Sequence, residues 1–154
     1  MKQALPKSVH VAEIRSLTPV VFDASAGVDL VANTEHGRAL RPLPPSDAIG
    51  WVPEHFYLEC AAVLRWRDLH RALPADQIAE AFDELVAGPL HIVDVKGLLP
   101  GSWQLRANGT MGDAPYVILA RHLDAPLVTV DAPLTRAPGL GVELERLEDD
   151  SPSG

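Results

Sequence analysis

The sequence is poor in cysteine. Cys60 stands alone among 154 residues, which excludes an internal disulfide and suits a reducing cytosol. Positive charge is scarce too: 13 lysines and arginines face 21 aspartates and glutamates, for a formal net charge of −8. That excludes a surface that coats a polyanion by bulk positive charge, although an acidic site ringed locally by basic groups stays open. No stretch approaches the roughly 18 apolar residues of a membrane span. Lys2 and Lys7 precede no apolar run of signal-peptide length. The chain is expected to be soluble and cytoplasmic, without a membrane partner. There is no glycine-rich phosphate loop, no G-x-S-x-G elbow, no Cys/His metal spacing and no internal repeat. What is present is a 47% hydrophobic chain whose length suits one domain with an ordinary core.

The stretch around which the rest is organised is Pro19-Val20-Val21-Phe22-Asp23-Ala24-Ser25. Its apolar run reads as a strand buried on both faces. Asp23 then falls at the carboxyl end of a central strand, the edge where open α/β sheets bind ligands. Small residues follow at once, and taken by itself Asp23 reads first as a helix N-cap. Acids at comparable places further along make it a candidate for chemistry as well.

Residues 1–17 are weakly patterned and read as an arm before the domain. Gly27 to Asn33 is a short helical segment, and Thr34 to Asp47, with Gly37 and three prolines, a loop holding one helical piece. Ala48 to Val52 is a second strand, with Pro53 opening the helix after it. From Glu54 to His70, Phe56, Tyr57, Cys60, Val63 and Leu64 recur at helical spacing, and Glu59 lies beside that face. A helix over Ala75 to Val86 stops at Gly88-Pro89. Leu90 to Val95 is a third strand and Gly97 to Ala107 is partly helical. Thr110 to Leu123 is a helix with Asp113 in its first turn and Pro115 where a missing donor is harmless. Pro126 to Val130 is a fourth buried strand ending on Asp131, and Gly141 to Leu147 alternates as a fifth, edge-like strand. The acidic tail, residues 148–154, is expected to be disordered. Strands and helices alternate, with links long enough for right-handed crossovers. The expectation is one α/β domain over residues 18–147, built on a parallel sheet.

Two of those strands end on an aspartate, Asp23 and Asp131, and two helices carry an acid in or beside an apolar stretch, Glu59 and Asp113. In a parallel sheet, strand carboxyl ends and the following helix starts share one edge, so these acids can converge there. Clustered carboxylates repel strongly unless a cation sits among them. Oxygen-only ligands suit Mg²⁺ or Mn²⁺, ions that activate water and support in-line displacement at phosphorus.

Three segments carry a resemblance: VVFDASAGVDL at Val20 to Leu30, WVPEHFYLECAAVLRW at Trp51 to Trp66, and SWQLRANGTMGDAPYVILARHLDAPLVTVDAPL at Ser102 to Leu134. With the strand at Leu90 to Val95 they resemble, in order, a PIN-domain protein of the VapC toxin ribonuclease type. The resemblance implies a five-stranded parallel sheet in the order 3-2-1-4-5, flanked by helices. It implies a metal site made by Asp23, Glu59, Asp113 and Asp131, with Ser25 and Thr129 supporting the first and last. It also implies Mg²⁺- or Mn²⁺-dependent endoribonuclease activity, a homodimer, and a cognate antitoxin that blocks the site. Gly112 departs from the pattern, standing where the family usually has an aromatic. With Pro115 close behind, it predicts a backbone that presents Asp113 loosely.

Other residues invite second readings. His55, four before Glu59 on one helix face, makes a possible metal pair. Arg65, Arg67 and Arg71 suit phosphate contacts or a solvated face. Trp51, Trp66 and Trp103 suit base stacking, or core and dimer packing. Asp29 and Glu54 are expected on the exposed surface or as caps. Two rival functions also stand: a catalytically degenerate domain of the same fold that only binds protein, and a haloacid-dehalogenase-like phosphatase, which shares the VVFD opening. In the phosphatase pattern the second residue after the nucleophile is an aspartate, and here it is Ser25.

Overall fold

A computed structural model describes residues 17–130 and the short strand Leu144–Glu145. The strands are β1 (Thr18–Phe22), β2 (Ala48–Pro53), β3 (His91–Val93), β4 (Leu127–Val128) and β5 (Leu144–Glu145). The helices are α1 (Ala24–Val31), α2 (Glu35–Leu40), α3 (Phe56–Leu69), α4 (Ala75–Ala87), α5 (Val95–Gln104) and α6 (Ala114–Leu123). Every strand pairing is parallel. The body of the sheet is β3-β2-β1-β4, and β5 extends it beside β4 by two rungs, Leu127↔Leu144 and Val128↔Glu145. The rest of the stretch expected to form the edge strand lies outside the described residues, as do most of the arm and the acidic tail.

β1 sits at the centre because both of its faces are covered. Val20 and Val21 are wholly buried, and they belong to different clusters. Val21 packs with Phe56, Cys60, Leu64 and α6; Val20 packs with Ala26, Leu40 and Val128. Successive side chains of a strand point to opposite faces, so an unbroken apolar run is what this position requires. α6 is buried at every residue from Ala114 to Ala120, the signature of a helix inside the core rather than on its surface.

Several boundaries differ from the pattern reading. α1 begins at Ala24, directly after Asp23, and not at Gly27. Pro53 closes β2 opposite Val93 and does not open a helix; α3 starts at Phe56, with His55 at its N-cap. Val63 faces solvent, while Phe56, Cys60 and Leu64 form the buried face of α3. α5 continues through Pro100. α6 begins at Ala114, so Asp113 is its N-cap and not a first-turn residue. Among the described residues no helix is long and apolar enough to cross a membrane.

Candidate active site

Asp23 fills the capping role expected of it. It ends β1 at the carboxyl edge of the sheet and caps α1, its Oδ1 accepting from the Ala26 backbone N–H at 2.9 Å. The Ser25 hydroxyl donates to the same oxygen at 2.7 Å. The Thr129 hydroxyl donates to Oδ2. Asp23 and Thr129 are 3% and 0% exposed, so these donors, not water, solvate the carboxylate. Three donors thus converge on one buried carboxylate. Thr129 follows directly on β4, and the Val130 N–H donates to Ser25 Oγ at 3.2 Å. The small hydroxyls thus tie the start of α1 to the end of β4.

Glu59 reaches the same region from α3. Tyr116, on α6, donates its hydroxyl to Glu59 Oε1 at 2.6 Å. His55, one turn earlier on the chain, places Nε2 at 3.0 Å from that oxygen and at 2.7 Å from the Gly112 carbonyl. Both partners accept only, so Nε2 carries the hydrogen. Burial pushes the Glu59 carboxyl up, but the hydrogen bonds from His55 and Tyr116 outweigh it and hold the group below its ordinary value. The Glu59 hydrogen bond does the opposite for His55, raising the imidazole against the desolvation that lowers it. Burial, then donation to Glu59, pushes the Tyr116 phenol far up. Cys60, beside them, is pushed up to about 12, chiefly by burial, and stays a neutral thiol. Cys60 and Tyr116 each feel the charges of both Asp23 and Glu59, and His55 feels Glu59 and Asp113.

The turn that leads into Asp113 is hydrogen-bonded through its backbone. Its N–H donates to Thr110 Oγ1 at 3.2 Å, the Ala114 N–H donates to the Thr110 carbonyl at 3.1 Å, and the Gly112 carbonyl accepts from His55. A Cβ on Gly112 would stand 3.5 Å from Glu59 Oε2, so this turn and the Glu59 carboxylate are neighbours. Asp131 lies outside the described residues. Among those described, no three histidine, cysteine or acidic side chains close into a ready-made metal group. The donor chemistry nonetheless fits a hard divalent ion, since the acids offer oxygen only and the nearby thiol stays protonated.

Three expectations change. Asp29 is neither exposed nor a cap: it is 4% exposed, and Arg67 donates to its Oδ1 at 3.0 Å. Arg67 is therefore bound to a buried carboxylate and is not spare for phosphate. His55 donates its Nε2–H to the Gly112 carbonyl, so the nitrogen that faces Glu59 has no lone pair to offer a metal. Tyr116 went unnoticed as a site residue because its partner is 57 positions away. The available signal was a tyrosine inside an otherwise apolar helix, since a buried hydroxyl needs a partner.

No family model matches the chain. It is 33% identical over 130 residues to Ribonuclease VapC1 of Mycobacterium tuberculosis (strain ATCC 25618 / H37Rv), covering 81% of this chain and 95% of that protein. Ribonuclease VapC12 of the same strain is 28% identical over 126 residues, covering 82% and 97%. The fold resembles VapBC2 from Rickettsia felis, solved bound to a DNA fragment from its promoter, with a TM-score of 0.57 at 15% identity. That match covers 85% of this chain and all of the other.

Proposed function

The chain belongs to the VapC-type family of PIN-domain toxins, and from that premise we propose that it is the endoribonuclease toxin of a toxin–antitoxin pair, acting in the cytoplasm with Mg²⁺ or Mn²⁺. Its partners in this reading are RNA, a cognate antitoxin and a second copy of itself. One observation carries it: a buried carboxylate with three donors at the carboxyl edge of the central strand, Asp23, in the electrostatic neighbourhood of Glu59. A fold gains little stability from keeping an acid charged there when an asparagine would also cap the helix.

Asp23, Glu59, Asp113 and Asp131 are the residues that would hold the cation. When bound, that ion supplies the charge that activates water and offsets the negative charge of displacement at phosphorus. The chain's own part is orientation. Ser25 and Thr129 fix the plane of the Asp23 carboxylate. Tyr116 and His55 both bind Glu59 Oε1, which leaves Oε2 turned toward the Asp113 turn.

The purified protein should cleave RNA with Mn²⁺ and stop in EDTA, and Asp23→Asn should stay folded while losing cleavage and Mn²⁺ binding. Undiminished cleavage in chelator would overturn the reading. A second reading is a silent domain of the same fold that only binds protein, kept open by Gly112 and Pro115 beside Asp113. Calorimetric titration of the intact chain with Mn²⁺ separates the two, because the silent domain should show no Asp23-dependent heat.

A further inference from the structure

The His55 side chain does more than pair with a neighbour on its own helix. Its Nε2–H donates to a backbone carbonyl, Gly112 O at 2.7 Å, and the same nitrogen stands 3.0 Å from the Glu59 carboxylate at Oε1. Glu59 sits on α3 and Gly112 precedes Asp113, the N-cap of α6. One ring nitrogen thus joins the Glu59 carboxylate to the backbone turn that precedes Asp113 on a separate element. The ring is stacked obliquely on Tyr116, with centroids 4.9 Å apart, and Tyr116 donates to the same Glu59 oxygen. Nδ1 is buried without a hydrogen-bond partner. A polar atom is left unmatched at a cost, which is the mark of a ring placed for its other nitrogen.

We infer that His55 is a positioning residue: its Nε2–H sets the separation of Glu59 from the Asp113 turn and keeps Glu59 Oε2 directed toward it. The inference rests on the proposed reading of Glu59 and Asp113 as cation ligands. It supplies what Gly112 cannot, since a glycine has no side chain with which to pack its own turn against Glu59. Groups that orient a ligand through one hydrogen bond commonly change metal affinity by about 10- to 100-fold when removed. The geometry makes the role specific to a donor at the Nε2 level. Glutamine puts its amide nitrogen at that reach, asparagine stops about one bond short, and phenylalanine keeps the ring against Tyr116 with no donor.

The test is calorimetric titration of the full chain with Mn²⁺, alongside the melting temperature of the metal-free protein and the division of any cleavage defect between kcat and KM. His55→Phe should weaken Mn²⁺ binding about tenfold or more, and His55→Gln should restore it to within a few-fold of the parent. The defect in cleavage should fall on kcat at limiting Mn²⁺ and leave KM for RNA unchanged. Parent-like Mn²⁺ affinity in His55→Phe would overturn the inference, and so would a His55→Gln no better than His55→Phe. If His55→Phe does not fold, the comparison of His55→Gln with His55→Asn decides, because only glutamine should bind Mn²⁺ like the parent. Glu59→Gln and Asp113→Asn keep the two failures apart. If neither weakens Mn²⁺ binding, the ligand reading is wrong; if both do and His55→Phe does not, the positioning role alone is wrong.

Discussion

Arg67→Met should destabilise the protein and leave its chemistry intact. The guanidinium donates to Asp29 Oδ1 at 3.0 Å, and the Asp29 side chain is 6% exposed against 24% for Arg67. Methionine keeps most of the apolar stem of arginine, so the charge is the main loss. Removing one partner of a fully buried pair costs about 3–5 kcal/mol, because the other is left as an uncompensated buried charge. Two features reduce that figure here. Arg67 is partly solvated already, and His36 Nδ1 remains 3.7 Å from the other Asp29 oxygen. A loss of about 2 kcal/mol is the consistent estimate once the buried-pair cost is discounted in this way. For a chain of this length it corresponds to a melting temperature lower by about 6 °C. Urea unfolding measures the free energy directly, and the double variant with Asp29→Asn should recover part of it, since the stranded charge is then gone. Cleavage assayed well below the transition should match the parent. A loss under about 0.5 kcal/mol, the range of ordinary surface changes, would refute the argument. Cleavage that collapses while stability holds would instead assign Arg67 to an RNA phosphate.

Gly37→Ala should destabilise by about 1–3 kcal/mol in urea, the cost of overpacking, although alanine is favoured over glycine inside a helix by about 1 kcal/mol. The added Cβ would overlap the Asp29 carbonyl and crowd Leu30 N, which are backbone atoms that cannot turn aside; a stabilised variant would refute this. Cys60 should resist thiol reagents at pH 8 until the chain unfolds, because its thiol is pushed from 9.0 up to about 12 by burial. The sign follows: a raised pKa leaves this group's contribution whole below pH 9 and erodes it as pH climbs toward about 12, and rapid labelling of native protein would contradict it. Thr129→Val, nearly the same shape, should cost about 1.5–3 kcal/mol for a lost hydrogen bond to a charged group and cut cleavage sharply, while Thr129→Ser keeps most of both.

The sheet was legible because its physics is local. Val20 and Val21 are apolar on both sides of one strand, and only a central strand needs that. The ends of elements were less so. Pro53 suits a helix start by propensity, yet β2 keeps it because Val93 pairs opposite and the Glu54 N–H still donates to the Val93 carbonyl at 2.9 Å. The α1 boundary turned on one side chain: once Asp23 accepts from Ala26 N, helical structure begins at Ala24. Of the expected site, the place of Asp23 could be read from position, since strand ends are fixed by the sheet, whereas Ser25 and Thr129 came from the family resemblance. The Asp29–Arg67 pair could not, because 38 residues separate its members and an acid on a helix carries no mark of burial. Tyr116 and the second contact of His55 stayed hidden for the same reason.

Repulsion among the acids, taken alone, would favour a cation among them. The structure distributes that burden differently. Asp23 has two hydroxyls and a helix N–H, and Glu59 has a phenol and an imidazole N–H, each set drawn from elements that the core already locks together. Each carboxylate is therefore solvated by its own dipoles, which need not reorganise when charge arrives or leaves. Asp23 also caps α1, a role asparagine fills about as well. On the proposed reading, folding and ion binding are then separable at this site. Asp23→Asn should lose cleavage with little change in metal-free stability, and Mn²⁺ should raise the melting temperature of the parent but not of that variant, because only a ligand that binds the native state adds to its stability.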